Sequence, residues 1–115
     1  MTRLLVLVSF AACAEPEPQD VAEDPCLHSP MRWDSFAEPF FTVWCTSCHS
    51  SAAVGELRYG APVGVDLDTY EGVAAWEDRV DARAVETTDM PLGGYGPPEE
   101  EREKLGEWLD CGLQR

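Results

Sequence analysis

Basic residues are scarce in this chain: 8 Lys and Arg stand against 22 Asp and Glu, for a formal net charge of −14 at pH 7. A surface of that sign repels polyanions, so nucleic-acid binding is excluded as a function class. Histidine is scarcer still, with His28 and His49 the whole complement of 2. A zinc knuckle wants a second Cys or His pair, and no second C-x-x-C supplies one. Strict alternation of apolar and polar residues is missing, as are internal repeats, so no strand pattern and no thioredoxin-like succession of strands and helices can be read. Long apolar runs are missing too. The N-terminal one, Leu4 to Phe10, falls well short of the roughly 20 residues a membrane-spanning helix needs.

Aromatics are plentiful by contrast, with four Trp, four Phe and three Tyr in 115 residues. That length allows one compact domain and little else. So many flat apolar side chains in so small a domain fit a core built around something equally flat. The chain opens Met1-Thr2-Arg3, runs through Leu4 to Phe10, reaches Ala11-Ala12-Cys13 and turns acidic at once. A basic start, an apolar middle and small residues before a cleavage point read as an export signal over residues 1–12. Phe10-Ala11-Ala12-Cys13 is also similar to a bacterial lipoprotein box, in which Cys13 becomes the lipidated first residue. A plain signal peptide is the alternative. Residues 13–25 carry Pro16, Pro18 and Pro25 among repelling carboxylates, which reads as an extended tether reaching roughly 35 to 40 Å. Residues 26–115 are the expected domain.

Of the five cysteines, Cys45 and Cys48 share one motif, and Cys13 belongs to the leader. Cys26 and Cys111 are left near opposite ends of the domain. In the oxidising compartment that export implies, such a pair is expected to be bridged, two buried free thiols being the alternative.

Helical patterns fill the domain. Phe36, Phe40, Phe41, Val43 and Trp44 form an apolar helical set, with Asp34 or Ser35 as N-cap, and Pro39 either starts or bends that helix. Ser50 to Gly64 reads as loop because Gly55, Gly60, Pro62 and Gly64 interrupt any period. Asp68 or Thr69 caps a second helix through Tyr70, Val73, Ala74 and Trp76, and Val80, Ala84 and Val85 mark a third. The last helix is the plainest. Pro97-Pro98 precede it, Glu99, Glu100 and Glu101 occupy its positive end, Leu105, Trp108 and Leu109 form one stripe, and Gly112 follows. The fold class expected is all-α.

Trp44 runs directly into Cys45-Thr46-Ser47-Cys48-His49. Two thiols separated by two residues fall on one helical turn and can add to the two vinyl groups of one porphyrin, while an imidazole directly after the second thiol reaches the iron from the same side. The motif therefore predicts one covalent haem c, with Cys45 and Cys48 as thioether donors and His49 as an axial ligand.

With an aromatic helix leading into C-x-x-C-H, then a loop, short helices, Met90-Pro91 and a C-terminal helix bearing Trp108, residues 33 to 112 resemble the class I cytochromes c. Val85 to Pro91 and Glu101 to Gly112 are more narrowly similar to the closing half of small secreted bacterial haem domains, many of them lipoproteins, although Leu92 stands where those relatives often have a second proline. The resemblance implies a cytochrome c-like fold of about four short helices wrapped around one haem. It also implies that Met90 is the second axial ligand, with His28 and Met31 as poorer rivals beside Cys26. Phe40, Phe41, Trp44, Leu67, Tyr70, Leu92 and Trp108 would wall the haem. Arg58, Tyr59, Arg79 and Arg83 would meet its propionates.

The expected function is one-electron transfer outside the cytoplasm, periplasmic or lipid-anchored through Cys13, without substrate chemistry. The acidic surface would favour a redox partner with a basic docking face. The alternative is a haem-based sensor or catalytic accessory domain with an open or exchangeable sixth position.

Overall fold

The computed structural model describes residues 22–115. The export signal over 1–12, the lipidation residue Cys13 and the tether up to residue 21 lie outside the described residues. Within them the secondary structure is entirely helical, in agreement with the expected class.

A short 3-10 turn, Pro25–Leu27, opens the described chain, its first turn capped by Asp24, which accepts from the Cys26 amide at 2.9 Å. A π turn, Trp33–Ala37, then runs without a break into helix α1, Glu38–Trp44. Neither Asp34 nor Ser35 is the cap. The helix starts one turn earlier because its first free amide, Trp33 N–H, donates to the Gln114 carbonyl at 2.8 Å, so the C-terminal segment does what a capping side chain would do. Pro39 is passed by widening the turn ahead of it: Ala37 N–H reaches back five residues to Arg32 and Glu38 N–H to Trp33. That register gives the proline ring room and asks for no N–H at position 39.

Ser50 to Gly64 is loop as expected, apart from a 3-10 turn, Gly55–Arg58. Helix α2, Tyr70–Ala75, is capped by Thr69, which accepts from Gly72 N–H at 3.0 Å. Trp76 ends α2 and begins α3, Glu77–Val80, which continues through a π turn, Asp81–Glu86. Helix α4, Glu99–Asp110, buries the expected stripe of Leu105, Trp108 and Leu109 and is followed by Gly112 at φ +76°, a left-handed turn that glycine adopts without strain.

The core lies where α1 meets α4. Ala37, Phe41, Val73, Leu105 and Trp108 are each at most 1% exposed. Trp33 packs against Phe41, Tyr70 and Trp108 with ring centroids 5.6 to 6.2 Å apart, and Phe41 meets Trp108 edge-on at 6.2 Å. Two of these rings keep a polar handle on the chain end: Trp108 Nε1 donates to Gln114 O at 2.8 Å and Tyr70 Oη to Leu113 O at 2.9 Å. Cys26 and Cys111 are joined by a disulfide, with Cα atoms 5.3 Å apart and a separation of 85 positions in sequence. It fastens the segment ahead of α1 to the end of α4. In the chain-entropy picture a closure of that length contributes about 4 kcal/mol. No helix among the described residues is long and apolar enough to cross a membrane.

Candidate functional site

The motif begins where α1 stops. Cys45 and Thr46 N–H both donate to Phe41 O, at 2.9 and 3.0 Å, and Cys48 and His49 N–H both donate to Cys45 O, at 3.2 and 2.9 Å. The chain thus keeps turning past α1, and Cys48 and His49 return beside Cys45. Both cysteines are free and half-buried. Cys45 packs against the core, and burial pushes its thiol up to about 12, the Arg102 charge pulling the other way and Cys48 adding to the rise. At neutral pH it is a neutral thiol. Among the described residues no three His, Cys, Asp or Glu side chains are grouped as ligands for one ion.

His49 is oriented from the opposite side. Its Nδ1 lies 3.0 Å from the Val65 carbonyl oxygen. A carbonyl only accepts, so Nδ1 carries a proton, and in the neutral ring the free lone pair falls to Nε2. The backbone repeats the link, with Leu67 N–H donating to His49 O at 2.8 Å. Ser51, just beyond, donates through its amide and hydroxyl to Asp68 at 3.1 and 2.6 Å, and these bonds hold the Asp68 carboxyl below the usual range.

Arg58 holds the loop between those points. It is 4% exposed and donates to the carbonyls of Ser50, Ala53, Ala61, Pro62 and Val65. Its donors are thereby spent on the loop, which corrects its sequence assignment to propionates. Arg83 pairs with Asp89 at 2.7 Å, while Tyr59 and Arg79 point to solvent.

Met90 is half-buried on the loop after the Asp81–Glu86 turn. Its N–H donates to Arg83 O at 3.0 Å and its carbonyl accepts from Arg102 Nη1 at 2.9 Å; the Met90-Pro91 bond is cis. Arg102 also donates to Ala84 O and Pro97 O. The same charge pulls the Cys45 thiol down against the larger effect of its burial. His28 and Met31 stand elsewhere: His28 is exposed and pairs with Glu23 at 2.8 Å, and Met31 packs against the aromatic core.

The expected apolar wall divides. Phe40, Phe41, Leu67 and Trp108 are buried in the protein core, Trp44 and Tyr70 are partly buried, and Leu92 is exposed. Two loops carry most of the uncovered large apolar side chains. Val54, Leu57, Tyr59 and Val63 follow His49, and Leu92 and Tyr95 follow Met90, all between 62 and 90% exposed. These residues fit a covalently held haem. Two free sulfurs lie one turn apart, an imidazole leaves Nε2 open, a thioether stands on the second loop, and both loops offer apolar side chains with nothing over them.

Sequence reasoning missed two members of this site. The Val65 carbonyl is backbone and carries no side-chain signal, and Arg102 reads as one more charge on an acidic helix. No protein-family model matches the chain, and neither does any curated protein or solved structure.

Proposed function

We propose that this chain is a monohaem c-type electron carrier with a cytochrome c-like fold. The observation that carries the reading is His49: it follows two free thiols, its Nδ1 proton is fixed by Val65 O at 3.0 Å, and Nε2 is left to bind metal. When bound, haem c supplies an iron that takes up and returns one electron.

The chain's own residues hold that centre. The Cys45 and Cys48 thiols would hold the porphyrin through its two vinyl groups, at the end of α1. His49 Nε2 and the Met90 thioether would hold its iron. A neutral, soft thioether favours ferrous iron more than a second imidazole would, and a filled sixth position favours transfer over oxygen chemistry. Arg102 positions the Met90 loop by holding its carbonyl at 2.9 Å. The exposed apolar side chains of the two loops would shield the ring from water once it is bound.

The domain works outside the cytoplasm, exported by residues 1–12 and lipid-anchored through Cys13, and meets a redox partner with a basic face. It turns over no substrate. The test is Met90→Ala in the haem-loaded protein. Loss of the weak far-red ferric band of His-Met iron, with a fall in potential, is expected. If the unaltered protein is high-spin and binds carbon monoxide readily, the carrier reading is wrong and the sensor reading replaces it.

A further inference from the structure

The Val65 carbonyl receives two donors. His49 Nδ1–H reaches its oxygen at 3.0 Å and Arg58 Nη2 reaches the same oxygen at 3.1 Å. One oxygen has two lone pairs, so both bonds are allowed. They are not independent. A cation on one lone pair draws density from the carbonyl and weakens it as an acceptor for the other donor, the more so where water is excluded. Arg58 is 4% exposed, and its bonds to Ser50, Ala53, Ala61 and Pro62 keep the guanidinium from swinging away.

The next residue carries the opposing charge. Asp66 Oδ1 lies 2.8 Å from Arg58 Nη1 yet makes no hydrogen bond there, so it acts as a counter-charge rather than as an acceptor. The motif imidazole, a carbonyl, a buried cation and a carboxylate are therefore linked in one short chain of contacts. An imidazole whose Nδ1–H meets a strong acceptor gives more density at Nε2, and one facing a weakened acceptor gives less.

We propose that Arg58 and Asp66 set the electron affinity of the site through the Val65 carbonyl, Arg58 raising it and Asp66 lowering it. The proposal rests on the reading that His49 Nε2 ligates haem iron. Neither residue touches the ligating atom. Both are positioning residues that act through the bond His49 donates.

The test uses the exported protein with haem attachment verified by pyridine haemochrome spectrum, and compares D66N and R58Q with the unaltered chain. The readouts are the midpoint potential and the NMR shift of the His49 Nδ1 proton in the reduced form. D66N should raise electron affinity and R58Q should lower it, each by roughly threefold to tenfold, a tenfold change being about 59 mV for a one-electron couple. The Nδ1 proton should move upfield in D66N and downfield in R58Q. Opposite signs separate tuning from simple loosening, because water entering the site moves both variants the same way. If R58Q fails to fold, D66N decides alone. A D66N protein with attached low-spin haem and an unchanged or lowered potential overturns the proposal. An unaltered chain that carries no haem overturns the ligation reading itself, and the proposal with it.

Discussion

His49 is held by contacts that begin in the next stretch of chain, and single atoms there decide whether the ring stays in place. Gly72 shows how tight the support is. A Cβ on this residue would stand 2.3 Å from the Asp66 carbonyl oxygen and 3.1 Å from Thr69 Oγ1, so helix α2 lies directly against the loop that carries Val65 and Asp66. Backbone cannot yield as a flexible side chain does. Gly72→Ala is expected to destabilise the fold by about 1–3 kcal/mol, measured by denaturant unfolding. Asp68 works beside it. The Ser51 hydroxyl is the main reason its carboxyl is held low, with burial opposing. A folded value below the unfolded one means that the contribution is fully present above the ordinary aspartate value of about 3.9 and is lost as pH falls through the lower folded value. The bond is partly exposed, so solvent screens it. Acid titration followed by circular dichroism should show the Asp68→Asn variant with a shallower loss of stability in that window.

At the scale of elements, the decisive contact is α1 against α4. Trp108 is fully buried, meets Phe41 and Trp33, and ties its indole N–H to the Gln114 carbonyl. Trp108→Ala removes all three interactions and should cost about 3–5 kcal/mol in unfolding experiments. The disulfide acts on the same junction from outside the core. Replacing Cys26 and Cys111 together by serine should lower stability by about 4 kcal/mol, with less if the reduced unfolded chain retains structure. Both elements were legible in the sequence, for physical reasons. The α4 stripe repeats at helical spacing, its acidic first turn matches the dipole, and Gly112 stands where a left-handed residue is needed. The start of α1 was not legible, because the partner that satisfies Trp33 N–H is a carbonyl at the far end of the chain. The cap of α2 was half legible: Thr69 and Asp68 are both good caps, and Ser51, another distant residue, decides by engaging Asp68.

Across the whole molecule, the same division between local and distant contacts runs through the site. Cys45, Cys48 and His49 lie within five residues, so their placement side by side was readable directly, and the Cys26–Cys111 bridge followed from compartment and elimination. Arg58 was misread, because nothing local reveals that five carbonyls will close around it. Arg102 was passed over for the same reason. The protein core closes on its own aromatic cluster, yet the two loops beside the thiols and the methionine leave Val54, Leu57, Tyr59, Val63, Leu92 and Tyr95 uncovered. Such an arrangement fits a domain whose apolar contacts are completed by a flat covalent group. The most direct measurement is an intact mass of the exported protein together with its pyridine haemochrome spectrum. One haem per chain, retained after denaturation and absent from Cys45→Ser/Cys48→Ser, is the expected result. A mass equal to the polypeptide alone, from cells competent in haem attachment, would contradict it.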